Sequence, residues 1–153
     1  MSGLELKVPP DVVWLLVAAL MWFASAATPD LDVTTTLRVA ASALFIAGGV
    51  ALIVAARVGL NRAHTTWRPS EPERTTDLVT DGVFRHSRNP TYLGMLLVLI
   101  GWGVVLASPL ALALTVVFVL YLNRFQIRPE ERTLTTIIVS EYREYASRVR
   151  RWL

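Results

Sequence analysis

The chain has 153 residues, enough for one domain, with 54% hydrophobic and 18% charged residues and a mean hydropathy of +0.48; a soluble domain carries about a quarter charged residues. There is no cysteine, and the histidines are His64 and His86, which excludes disulfides, a thiolate nucleophile and Cys-ligated metal, so no metal centre is expected. The net charge is +3, but the arginines flank apolar blocks, so membrane topology accounts for them and no nucleic-acid partner is expected.

A spanning helix needs about 20 mostly apolar residues. Four blocks qualify or nearly so: residues 12–27, 37–60, 92–107 and 110–122. The first also fits a secretory leader loosely, with Lys7 before it and Ala24-Ser25-Ala26 at its end; Glu5 and Asp11 dilute the basic flank, so a retained span is expected. The second contains only Arg38 and Arg57, near its ends, where long side chains snorkel. It carries Ala43, Ala47, Ala51 and Ala55 at four-residue spacing beside Gly48, a small-residue ridge expected to pack against another helix; a ligand groove is the alternative. Ser108-Pro109 separates the third and fourth blocks, because proline and its predecessor both resist the helix interior, and predicts a tight helical hairpin.

Charge orients these spans. The loop after the first block has Asp30 and Asp32 and no basic residue, whereas the next connection holds Arg57, Arg62, Arg68, Arg74, Arg85 and Arg88, and the tail from Arg124 holds seven arginines. Positive segments stay inside. The expectation is an all-α, four-span, single-domain protein of the cell (inner) membrane over 1–153. Its loop 61–89, its C-terminal helix 129–153 and both its termini face the cytoplasm.

Two polar stretches stand out. Residues 75–94 form a loop with a turn at Asp81-Gly82 and end at Asn89-Pro90, a helix start with proline in the first turn. Arg85 and Arg88 stand just before it. The free N–H groups of that turn suit an anion; inside-facing charge plus a cap is the bland alternative. The second stretch is Arg128-Pro129-Glu130-Glu131-Arg132, below the fourth block. Its acids either favour the dipole of a helix start or hold a cation. Hairpin geometry brings the two stretches together, so a basic and an acidic cluster meet at one bilayer surface, as an amphoteric ligand would require. Adjacent on a helix, Glu130 and Glu131 point about 100° apart. One is expected to face inward toward Arg88 and Asn89, the other toward headgroups or a nearby arginine; Pro129 favours Glu130 as the inward residue. Beyond them, Leu134, Ile137, Ile138, Tyr142, Tyr145, Val149 and Trp152 recur at three- and four-residue steps, predicting an amphipathic helix that lies on the membrane or folds over the site.

In these elements the chain resembles the isoprenylcysteine carboxyl methyltransferase and phospholipid methyltransferase superfamily. The carriers are Leu78-Val79-Thr80-x-Gly82-Val83-Phe84-Arg85, Arg88-Asn89-Pro90-x-Tyr92-x-Gly94, Glu130-Glu131-Arg132-x-Leu134, Glu141-Tyr142-x-x-Tyr145 and Arg148-Val149-x-Arg151-Trp152. They cover about the last half of the chain. The resemblance implies S-adenosylmethionine as methyl donor and a lipid or lipophilic acceptor. It implies a cofactor pocket of Arg88, Asn89, Pro90, Tyr92, Gly94, Glu130 and Glu131, with Arg88 and Glu130 at the chemistry and Tyr142 and Tyr145 toward the substrate. The isoprenylcysteine enzymes usually carry His at the place of Asn89, and relatives often carry Phe-Gly at Val139-Ser140. The acceptor is therefore open between an isoprenylcysteine carboxylate and a phospholipid amine. An NADPH-dependent membrane reductase and a non-enzymatic membrane assembly protein are the competing classes.

Overall fold

The computed structural model describes residues 6–28, 31–63 and 78–153, and among these every regular element is helical. The expected positions of His64, Arg68, Arg74 and Asp30 lie outside the described residues. Six helices follow in order: α1 (Pro10–Ser25), α2 (Thr35–Arg62), α3 (Pro90–Val105), α4 (Pro109–Tyr121), α5 (Arg128–Ile137) and α6 (Val139–Arg148). A short 3-10 turn, Gly82–Arg85, precedes α3, and a π turn, Leu122–Ile127, joins α4 to α5 without a break.

Proline stands at the start of α1, α3 and α4, where its missing N–H costs nothing. Ser108 caps α4, its hydroxyl accepting from Ala111 N–H (3.1 Å). Ala107, at a left-handed φ of 48°, turns the chain between α3 and α4, and its carbonyl accepts from Leu31 N–H (2.7 Å). The hairpin expected at Ser108-Pro109 is therefore present.

Among the described residues two helical stretches are long and apolar enough to cross a bilayer: α2, with 28 residues, and the continuous run Pro109–Ile137, with 29. α1 and α3 are apolar but have 16 residues each, which is about 24 Å at 1.5 Å per residue. The core joins α1, α3 and α4 through Val13, Val17, Met21, Met95, Leu99, Ala111 and Phe118. Two indoles fasten α1 to α3: Trp14 donates to Met95 O (2.9 Å) and Trp102 to Ala18 O (3.2 Å). These reach helix carbonyls that already carry one bond, so a buried indole N–H is satisfied without breaking a helix.

The α2–α3 contact corrects one expectation. Ala43, Ala47, Ala51, Ala55 and Gly48 are exposed. The packing face is Ser42, Gly49 and Ala56, spaced by seven, and it meets Gly94 and Gly101, also seven apart. A Cβ on Gly49 would lie 2.6 Å from Gly94 O, and one on Gly94 would lie 2.6 Å from Gly49 O. The backbones touch, and this is what small residues permit in lipid. The helix expected over 129–153 is also revised. It breaks at Ile138 (φ −125°, ψ 67°) into α5 and α6, and Val149 is extended.

Candidate functional site

The site forms where the start of α3, the start of α5, α6 and the segment after it converge. Gly82 at φ 61° turns the chain into the 3-10 turn, and Arg85 pairs with Asp81 in solvent (3.0 Å). The turn is anchored by Tyr145 of α6, whose hydroxyl donates to Phe84 O (2.7 Å). Ser87, Arg88 and Asn89 then meet residues 150–152. Arg88 N–H donates to Arg150 O (3.0 Å), and the Asn89 side-chain amide donates to Arg151 O (3.0 Å). Ser87 Oγ also donates to Arg151 O (3.4 Å) and accepts from Asn89 N–H (3.1 Å). Asn89 occupies the N-cap position but spends its side chain on this strap rather than on the helix. Trp152 closes the strap, donating to Asn123 Oδ1 in the π turn (3.2 Å).

Glu131 is the hub of the charges. Arg88 Nη1 lies 3.0 Å from its Oε1, while Arg151 grips both oxygens, Nε to Oε1 at 3.0 Å and Nη2 to Oε2 at 2.6 Å. Such a fork is the strongest pairing arginine makes. It raises the Arg151 pKa above its usual value, the Glu131 hydrogen bond being the main cause. Tyr142 of α6 accepts from Arg88 Nη1 (3.4 Å); burial, then the Glu131 charge, raises its phenol pKa. Burial likewise pushes the Tyr145 phenol up to about 12. Arg88 Nε is buried and has no hydrogen-bond partner.

Glu130 points elsewhere. Its Oε1 accepts from Tyr92 Oη (2.5 Å) and from Gln126 Nε2 (3.0 Å), one turn nearer the bundle centre. Glu130 is the inner of the two, and Glu131 lies against arginines, as expected of the second acid. The partner of Arg88 is exchanged: Glu131, not Glu130, faces it. The π turn explains this: its wide turn adds a residue and shifts the phase of α5 against α4. Gly94, expected beside the pocket, faces α2 instead. Pro90 is fully buried at the first position of α3. Tyr142 reaches Arg88, whereas Tyr145 is committed to Phe84.

Sequence reasoning did not single out Gln126, Ser87 or Asn123. The first had a signal, an amide four residues before Glu130 and hence on its face. The other two are set by tertiary contacts that local pattern does not carry.

The chain belongs to the phospholipid methyltransferase family, which its residues 37–139 match. A Haemophilus influenzae protein named only as uncharacterized is 44% identical over 62 residues, 40% of this chain and 98% of that protein. Two named relatives are similar over 75 residues, 47% of this chain. The probable protein-S-isoprenylcysteine O-methyltransferase of Oryza sativa subsp. indica is 43% identical, and the protein-S-isoprenylcysteine O-methyltransferase of Saccharomyces cerevisiae is 40% identical. The matches span 38% and 30% of those two relatives' lengths. No solved structure matches the chain.

Proposed function

We propose that this chain is an S-adenosylmethionine-dependent membrane methyltransferase acting on a lipophilic acceptor. Arg88, Asn89, Pro90, Tyr92, Glu130 and Glu131 would form its cofactor site, with Gly94 setting the helix contact behind them. The observation that carries the reading is the orphaned Nε of Arg88, buried beside Glu131 and Tyr142. A buried donor left unpaired costs about 1–3 kcal/mol, and the carboxylate of an amino-acid ligand would satisfy it. Glu131 and Glu130 suit the ammonium and ribose hydroxyls of the same ligand, so the residues present fit the group.

When bound, S-adenosylmethionine supplies an electrophilic methyl group on a sulfonium. The chain's part is to bind, orient and keep water away. Arg88 holds its plane between Glu131 and Tyr142, and Glu131 is itself fixed by the Arg151 fork. Tyr92 and Gln126 fix Glu130. Phe118, Leu122 and Ile127 are fully buried next to this layer and exclude water on the bundle side. Positioning of this kind is worth roughly 7–11 kcal/mol in well-oriented reactions. A carboxylate acceptor is ionised already and requires no base, which favours an isoprenylcysteine-type carboxylate; the named rice and yeast relatives are protein-S-isoprenylcysteine O-methyltransferases by name. A phospholipid amine is the second reading, favoured by the family match.

The same proposal has α1 and α3 completing four spans with α2 and α4, both termini and the Arg-rich segments facing the cytoplasm of the inner membrane. Residues 1–153 then form one methyltransferase domain. Calorimetry on detergent-solubilised protein tests the cofactor: binding of S-adenosylmethionine but not NADPH is expected, and NADPH binding alone overturns the reading. Transfer of a labelled methyl group into prenylcysteine analogues and membrane lipids then separates a base-labile ester from a stable amine. Reporter tags at both termini should read out the cytoplasm.

A further inference from the structure

N–H groups of two arginines converge on the Glu131 carboxylate. Arg88 Nη1 reaches Oε1 at 3.0 Å, Arg151 Nε reaches the same oxygen at 3.0 Å, and Arg151 Nη2 reaches Oε2 at 2.6 Å. An ionised carboxylate has about four acceptor positions, whereas an ammonium brings three donors and a full positive charge. Added to this cluster, a ligand ammonium would put a third cation on one anion. It therefore reaches Glu131 only in exchange for a guanidinium.

Burial and anchoring decide which guanidinium yields. The Arg88 side chain is 16% exposed and also donates to Tyr142 Oη (3.4 Å), so its departure would strip Tyr142 as well as Glu131. The Arg151 side chain is 34% exposed. It borders an open basin of about 900 Å³, with Glu131 on the same wall, so its head group can turn into water and be rehydrated there. The backbone of Arg151 does not have to follow. Its carbonyl accepts from Asn89 Nδ2 (3.0 Å) and Ser87 Oγ (3.4 Å). On one side the Arg150 carbonyl accepts from Arg88 N–H (3.0 Å), and on the other Trp152 donates to Asn123 (3.2 Å). The strap is thus fastened around Arg151 by bonds that owe nothing to Glu131. Side-chain torsions alone need change, from one staggered rotamer to another.

We infer that Arg151 is a latch on the Glu131 carboxylate: its guanidinium stands where a ligand's ammonium would bind, and it swings into the basin when that ammonium arrives. The inference rests on the S-adenosylmethionine reading above and adds a control to that site. The latch lowers the apparent affinity for an amino-acid ligand by the fraction of protein in which Glu131 is free. A ligand without a cation cannot exchange with the guanidinium and leaves the fork shut. An arginine that only held Glu131 in place would act with the opposite sign, since its loss would weaken ligand binding.

The test is calorimetry on the purified full chain in an uncharged detergent, with S-adenosylmethionine and 5′-methylthioadenosine as probes. The second keeps the adenosine and the sulfur but has neither ammonium nor carboxylate. Arg151→Gln should bind S-adenosylmethionine about threefold or more tightly than the parent, the gain from removing a latch that is closed about two-thirds of the time. 5′-Methylthioadenosine should gain less. Unchanged or weaker S-adenosylmethionine binding by the variant overturns the latch, and so does an equal gain for both probes, which would mark a pocket widened for any adenosine. If Arg151→Gln does not fold, Arg151→Lys replaces it. Lysine keeps the charge but loses the fork, and it too should bind S-adenosylmethionine more tightly than the parent; parent-like or weaker binding overturns the proposal. A parent that binds S-adenosylmethionine while the variant gains nothing removes the latch alone. Binding by the variant only supports both readings, and binding by neither protein removes the methyltransferase reading and the latch with it.

Discussion

Replacing Glu131 by Gln removes the negative charge that two arginines share. Its side chain is 17% exposed, that of Arg88 16% and that of Arg151 34%, so solvent shields the cluster only partly. Removing one partner of a buried ion pair costs about 3–5 kcal/mol. The half-open Arg151 side is screened, and Gln keeps one oxygen as an acceptor, so about 3 kcal/mol is the expected loss. Glu130→Gln is the control. Both hydrogen bonds to Glu130 end on Oε1, and an amide oxygen can accept them, so about 1 kcal/mol or less is expected. The assay is reversible unfolding in detergent, with a double-mutant cycle between Glu131→Gln and Arg151→Gln. A coupling energy of about 1–3 kcal/mol is expected for groups in direct contact. If Glu131→Gln costs no more than Glu130→Gln, or the coupling is near zero, the hub role of Glu131 is refuted.

Gly94→Ala places a Cβ 2.6 Å from Gly49 O, which is backbone and cannot swing aside; a loss of about 1–3 kcal/mol is expected in the same assay. Gly48→Ala meets nothing within 4 Å and should stabilise α2 by about 0.5–1 kcal/mol through helix propensity. Tyr145 keeps its proton longer in the folded chain than in the unfolded one, at about 12 against the usual 10. Its contribution is therefore complete below pH 10 and is lost as pH rises toward 12. Tyr145→Phe should be less stable at neutral pH and show a weaker fall in stability across that window, followed by alkaline unfolding. Tyr92→Phe leaves Glu130 with the Gln126 hydrogen bond alone, and S-adenosylmethionine affinity measured by calorimetry should fall by about five- to tenfold, the equivalent of one hydrogen bond of about 1–1.5 kcal/mol.

Helix positions were legible because each rests on local chemistry. Apolar block length, proline at a first turn and the Ser108-Pro109 stop placed α1 to α4 within a few residues. The meeting of Arg88 with the acidic pair was legible too, since a short hairpin makes its two helices neighbours. What failed is what depends on rotation about a helix axis. α2 is apolar and small all round, so nothing in its own sequence says which side packs. The answer lies in matching its seven-residue series, Ser42, Gly49 and Ala56, to Gly94 and Gly101 on another helix. The choice of Glu130 as the partner of Arg88 failed for a related reason. It rested on Pro129, which fixes the local backbone but not the azimuth of α5, and the π turn before it sets that azimuth. The break at Ile138 falls beside Val139-Ser140, where the chain departs from the superfamily pattern.

That π turn, Leu122–Ile127, makes the hydrogen-bond register of one segment a control on everything beyond it. A π turn advances about 80° per residue where a regular helix advances about 100°. If the same six residues closed into a regular helix, every downstream side chain would turn by about 100°, and Glu131 would swing off Arg88. Deleting one residue as the helix closes would keep the azimuth, because about five regular steps cover the angle of about six wide ones. The stretch therefore tolerates the loss of a letter better than the loss of its wide turn.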